Sequence, residues 1–311
     1  MSAQQFGIVV GVDGSPSSTV AVEWAARDAE IRDVPLHLVH VVAPAVTPIE
    51  PWVDPSSPSS FPRHQEQQAR RIVEEARGVA VAATSSDRAS QITGEVLYAP
   101  VVSALVDLSG RAEMIVVGCR GQGAVTHFLL GSVSSGLVHH AHCPVGVIHD
   151  EEPHTSPPSR APVVVGIHGS PASELATAIA FDEASRRSVG LVALHAWNDM
   201  GPLDFASMNW APIEWRNIEV REEEALAERL CGWRERYPDV DVHQVVVCDR
   251  PTPRLLEQAS TAQLVVVGSH DHTALPGMLL GSVSRTVVNA AQIPVIVART
   301  PRPGAHTTES R

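Results

Sequence analysis

The sequence contains no lysine: all 23 basic side chains among its 311 residues are arginine. A Walker-type phosphate loop depends on a lysine ammonium, and Schiff-base chemistry depends on a lysine amine, so neither can operate here. Codon bias, with alanine, valine and arginine all abundant, is the simplest account of the gap itself. Positive charge is short overall. The formal net charge of −12 disfavours nucleic-acid binding that relies on neutralising phosphates, yet it leaves room for a small anion held by backbone amides. Cysteine is scarce too. Cys119, Cys143, Cys231 and Cys248 show no CxxC spacing and read as reduced thiols rather than a disulfide framework. No stretch approaches the ~20 apolar residues that a membrane-spanning helix needs. Together these features predict a cytoplasmic protein with no membrane or nucleic-acid partner.

What is present is a duplication. GIVVGVDGSPSS, from Gly7, returns as PVVVGIHGSPAS 155 residues later, at Pro162. MIVVGCRGQGAVTHFLLGSVSSGL, from Met114, returns as LVVVGSHDHTALPGMLLGSVSRTV 150 residues later, at Leu264. A period this long exceeds that of solenoid repeats, so each copy is a whole domain. The expected division is residues 1–150, a proline-rich polar linker over 151–162, a second domain over 163–300 and a disordered tail over 301–311.

Within the first copy, FGIVVGVD is a continuous apolar run of the kind that forms a parallel strand buried on both faces. Ser15-Pro16 supplies a helix cap and a first-turn proline. Strands are expected at Leu36–Pro44, near Ser90–Tyr98, at MIVVG and at CPVGVIHD. Helices are expected after Ser15, over Gln65–Ala83, after Pro100 and from Ser132 to about His140, with a loop over Thr47–Arg63. The second copy repeats the order, with Pro202 and Pro212 in its loop, a charged helix over Glu219–Arg236 and a helix after Pro253. Alternation of strand and helix predicts an α/β fold: two tandem, doubly wound, open, parallel five-stranded sheets.

Such sheets bind ligands beyond the carboxyl ends of their strands, where the winding reverses. In each copy, glycine-bearing turns follow the first and fourth strands. If those strands are neighbours, Gly11, Val12 and Asp13 face Gly118, Cys119, Arg120, Gly121, Gln122 and Gly123 across one crevice. The helix that starts at Gly131, Ser132, Val133 and Ser134 aims its unpaired amides and positive dipole end there. A phosphate-bearing ligand suits that arrangement. The plainer reading is that the glycines only turn the chain and Ser132 only caps the helix.

The spacing Gly118-x2-Gly121-x9-Gly131-Ser132, together with the opening GVDGSPSS, resembles the universal stress protein family in its ATP-binding branch. The resemblance runs through both copies and is similar to the two-domain members typical of actinobacteria. It implies an adenine nucleotide α-hydrolase-like fold with ATP as the ligand, carrying a divalent metal such as magnesium. By that pattern Asp13 meets the ribose hydroxyls and the backbone near Val41 reads adenine. Gly118, Gly121, Gly131, Ser132 and Val133 hold the phosphates. Arg120 either neutralises phosphate or is a solvated loop residue.

In the second copy Gly166, Gly268, Gly281, Ser282, Val283 and Ser284 keep the frame, but His168 replaces Asp13 and Asp271 replaces Gly121. A carboxylate among phosphate oxygens is unfavourable, so the second site is expected to be the weaker. His168 and Asp271 either pair across the crevice or are unrelated drift. His139, His140, His142 and Cys143 have a zinc-like composition, though histidines at a helix end also suit its dipole. Cys119 is read as a small filler, with a redox-sensitive thiol as the alternative. There is no G-x-S-x-G elbow or G-x-G-x-x-G fingerprint.

The expected function is a nucleotide-dependent stress and growth regulator, not an enzyme, acting through self-association or an unidentified protein partner. The alternatives are a slow ATPase or phosphotransferase in the same crevice, and a nucleotide-independent chaperone or scaffold. The short apolar last strands, VGVIHD and VIVART, are edges that need cover. They predict a homodimer or a tight pairing of the two domains.

Overall fold

The computed structural model describes residues 6–44, 61–121, 130–149, 160–197, 212–269 and 280–299. Most of the expected linker, the tail, Gln122, Gly123 and Asp271 lie outside these residues. The first copy runs β1 (Phe6–Gly11), α1 (Pro16–Arg32), β2 (Leu36–Val42), α2 (Phe61–Ala83), β3 (Ile92–Tyr98), α3 (Val101–Ser109), β4 (Ala112–Gly118), α4 (Ser132–His140) and β5 (Val145–Ile148). The second runs β6 (Val163–Gly166), α5 (Pro171–Arg187), β7 (Leu191–Ala196), α6 (Pro212–Arg236), β8 (Val242–Val247), α7 (Pro251–Ala259), β9 (Leu264–Gly268), α8 (Ser282–Ala290) and β10 (Val295–Ala298).

Three helices begin earlier than their prolines suggested. Pro62, Pro212 and Pro251 all stand inside first turns, where a missing N–H costs nothing. Ser15 and Ser170 cap α1 and α5 by accepting from Ser18 N and Ser173 N, each at 3.2 Å. Before them, Gly14 and Gly169 adopt φ of 78° and 81°, the left-handed region that side chains disfavour.

Each copy forms a doubly wound parallel sheet of five strands, and the two sheets are continuous. The order is β3-β2-β1-β4-β5-β10-β9-β6-β7-β8. The junction is antiparallel, with Val145, Gly146 and Val147 opposite Val297, Ile296 and Val295. The two apolar last strands therefore cover each other within one chain. Side chains alternate between faces as strand geometry requires. Ile8, Val10, Met114 and Val116 enter one core beneath α1, α2, α5 and α6. Val9, Ile115 and Val117 enter the other, beneath α3, α4, α7 and α8. Both cores draw on both copies, so they run unbroken across the junction. Among the described residues no helix is long and apolar enough to cross a membrane.

Four charges bridge α1 and α5 over the junction. Arg32 bonds Asp28 of its own helix at 2.8 Å and also Glu183. Arg187 bonds Glu183 of its own helix at 2.8 Å and Asp28 at 2.6 Å. Both carboxylates are fully buried, so this closed ring satisfies groups that could not stand alone in the interior. On the opposite face, Arg299 donates to Val138 O at 2.7 Å and Ala141 O at 3.0 Å. Its counterpart His149 bonds Val288 O at 2.9 Å and Ile293 O at 3.2 Å. Each copy thus satisfies carbonyls at the end of the other's last helix.

Burial, aided by Glu183, pushes Asp28 up from 3.8 to about 6. Glu183, although also desolvated, is held below its ordinary 4.5 by Arg32 and Arg187. A carboxylate whose folded pKa is raised holds its proton more tightly when folded, so its contribution to stability falls as pH rises. Glu183 acts only below its ordinary 4.5, which leaves the window between about pH 4.5 and 6 to Asp28. Urea denaturation across that window should show stability declining with pH, and Asp28→Asn should flatten the slope. Glu183→Ala, which leaves both half-buried arginines sharing Asp28 as their one buried carboxylate, should cost about 3–5 kcal/mol in the same assay.

Candidate functional site

β1 and β4 are neighbours, with Ile8 opposite Met114 and Val10 opposite Val116, so the turns that follow them meet. The Asp13 carboxylate accepts from Ser15 N at 2.9 Å, and the Asp13 amide donates to Ser18 Oγ at 3.2 Å. This aspartate turn orients the carboxylate. A Cβ on Gly121 would lie 2.6 Å from Asp13 Oδ2, so the facing turns close on each other at that glycine. Gly131 N donates to Cys119 O at 2.8 Å, and Ser134 Oγ donates to the same oxygen at 2.9 Å. These bonds fix the start of α4 beside the turn.

The result is a cavity of about 240 Å³. Gly11, Val12, Asp13, Val41, Gly118, Arg120, Gly121, Gly131, Ser132, Val133 and Ser134 all line it. The N-cap of α4 is Gly131 rather than Ser132, and no side chain caps this helix. Its leading amides therefore keep their capacity for an anion at the positive end of the dipole.

Two expected residues have packing roles that the motif did not show. Cys119 is buried with Sγ 3.7 Å from Ser17 Oγ; it stands behind the wall and contributes its carbonyl to the α4 anchor. Gly118 is needed for packing: a Cβ there would lie 2.8–2.9 Å from the backbone carbon and oxygen of Ser17. The close approach at Gly118 is thus made by α1, as it is at Gly268, where a Cβ would meet Ala172 C and O at 2.9 Å.

The residues missed by sequence reasoning include Ser18, His40, Val101 and Leu105, all in the cavity wall. His40 donates from Nδ1 to Val12 O at 2.7 Å, tying β2 to the Asp13 turn. It had a readable signal, because His195 follows 155 residues later and makes the same bond to Ile167 O at 2.8 Å. Leu105 and Val101 come from α3, and nothing local in sequence places that helix against the crevice.

The second copy forms its own cavity, of about 320 Å³, with Gly166, His168, Gly268, Val283 and Ser284 in its wall. Gly281 is the N-cap of α8, and Ser282 begins that helix; neither is among the lining residues. The pairing expected between His168 and Asp271 falls outside the described residues. This cavity also receives His195, Glu222, Arg229 and Leu255, none of which the sequence singled out.

The histidines near Cys143 do not converge. His139 bonds Ser135 O at 2.7 Å, and its ring centroid is 6.2 Å from that of His140. Burial pushes the Cys143 thiol up to about 12, which keeps it from being a thiolate ligand. Among the described residues no three metal-ligating side chains are grouped to hold an ion.

Comparison with known proteins agrees with this architecture. The model of the universal stress protein family matches residues 7–149 and again 160–299. Universal stress protein Rv1996 of Mycobacterium tuberculosis is 62% identical over 312 residues, covering 97% of this chain and 98% of the relative. Universal stress protein Rv2623 of the same organism is 50% identical over 293 residues, covering 94% and 96%. Among solved structures, a universal stress protein from Archaeoglobus fulgidus superposes with a TM-score of 0.65 at 20% identity, over 95% of this chain and 97% of that one. At that identity it speaks to the fold alone.

The two glycines should separate on substitution. Gly118→Ala drives a methyl into the α1 backbone, which has no easy way to move, and should cost about 1–3 kcal/mol of folding stability in urea denaturation. Gly121→Ala meets only the end of a short side chain. It should displace the Asp13 carboxylate and leave the denaturation midpoint nearly unchanged.

Proposed function

Because this chain belongs to the universal stress protein family, we propose that its first cavity binds ATP and that occupancy, rather than turnover, is the signal. The observation that carries this reading is the convergence of the Asp13 turn, the Gly121 turn and the uncapped start of α4 on one cavity. A volume of about 240 Å³ is small beside the roughly 300–1,000 Å³ of typical ligand pockets. It suits the nucleoside, with the phosphates extending along the mouth of the cavity to Gly131, Ser132 and Val133. Asp13 takes the ribose hydroxyls, and the backbone at Val41 reads the base. Magnesium, where present, arrives with the nucleotide.

Catalysis fits less well. Asp13 is the only carboxylate in this wall among the described residues, and the proposed ribose contact takes it, so no second carboxylate is left to act as general base on an attacking water. The regulator therefore acts through what its bound state presents to a protein partner or to a second copy. The last-strand edges on which the homodimer expectation rested are paired with each other, so a dimer would use another surface.

Isothermal titration of ATP with magnesium should give saturable binding. Asp13→Ala should weaken it about tenfold or more, or about 1.4 kcal/mol, while ATP turnover at saturation stays at background. Unchanged affinity in Asp13→Ala would reduce that residue to a turn former. Measurable turnover would favour the slow ATPase.

A further inference from the structure

The two cavities share a frame, yet among the described residues only the second receives charged side chains from the helix that follows its second strand. Glu222 and Arg229 stand two turns apart on α6 and both line it. Among the described residues α2 sends nothing into the first cavity. Glu222 Oε2 lies 3.0 Å from His195 Nε2. His195 thus bridges Ile167 O and Glu222 through its two ring nitrogens. Glu222 is therefore already engaged by His195. In the first cavity, His40 makes the corresponding carbonyl bond, to Val12 O.

Arg229 is left over. Among the described residues it makes no ion pair, and its Nη1 is shielded from water with no acceptor in reach. The guanidinium rests on Gly169, where a Cβ would come within 2.8 Å of Nη2 and 2.9 Å of Cζ. That glycine, already at φ 81°, provides the shelf. A charged donor without an acceptor is unfavourable, and one set in a cavity wall marks where an acceptor from outside the chain belongs. Because the side chain is half-buried, a small swing into the cavity presents its planar fork to an oxyanion, which it matches in geometry. Leu194, Leu255 and Val267 supply an apolar wall beside it, and about 320 Å³ accommodates a small metabolite.

We propose that the second cavity is a site for a small organic acid, whose carboxylate or phosphate head is taken by Arg229 and whose body rests on that apolar wall. It is a different ligand class from the nucleotide proposed for the first cavity and does not depend on that reading.

The test is calorimetric titration of the full-length, nucleotide-free protein with succinate and, separately, with glycerol 3-phosphate; the two arms separate a carboxylate head from a phosphate head. Saturable one-to-one binding of at least one acid is expected, weakened at least tenfold by Arg229→Met and unchanged by Asp13→Ala in the first cavity. If circular dichroism shows that Arg229→Met does not fold, Arg229→Lys, which keeps the charge but loses the fork, should weaken binding in the same direction. Three results would overturn the proposal. These are no saturable binding of either acid by the unaltered protein, affinity unchanged in the folded Arg229 variant, or acid binding abolished by Asp13→Ala.

Discussion

The antiparallel pairing of β5 with β10 is the contact on which the rest of this molecule depends. Two parallel sheets, each with an apolar edge at its last strand, cover those edges with each other. Everything near the junction then follows a pseudo-twofold relation: Asp28 and Arg32 mirror Glu183 and Arg187, and His149 mirrors Arg299. The two buried carboxylates are tolerable because each is met by both arginines. Removing either carboxylate leaves both guanidinium groups to the other.

That pairing also decides where the cavities lie. Strands within each half run parallel, and the halves meet antiparallel, so the carboxyl ends of the two sets point to opposite edges of the sheet. The cavities therefore open away from each other and cannot share one ligand. They are nonetheless connected by short elements. The start of α8 lines the second cavity, and Asn289 near its end accepts from Leu130 N at 3.1 Å, one residue before the Gly131 cap of the first site. The corresponding position in the first copy is His139, which bonds Ser135 O within its own helix.

Duplication has conserved a scaffold in this chain and varied what the scaffold presents. The capping serines, the left-handed glycines before them and the histidine-to-carbonyl tie recur at matching positions. The recognition groups do not. Asp13 in its aspartate turn has become His168, and a helix that stays outside the first cavity sends Glu222 and Arg229 into the second. The same backbone thus frames a cavity with an aspartate at its first turn in one half and a wider, arginine-bearing one in the other.

Much of this was legible in the amino-acid order alone. Unbroken apolar runs that end at glycine specify buried parallel strands, and serine-proline pairs specify helix starts, because these are local constraints on backbone and burial. The repeat itself located both crevices, since strand order in a doubly wound sheet brings the first and fourth turns together. Other features required the chain to be folded. Gly118 lines the cavity, but only the fold shows that α1 also packs on it, and Cys119 looks like part of the wall until its side chain turns behind it. Arg229 is one arginine among many on a charged helix; only the crossing of α6 over the Gly169 turn makes it a half-buried cation in a cavity wall. Local propensity determines where strands, caps and turns fall, while the meeting of side chains from distant segments depends on packing across the sheet, which no local pattern encodes.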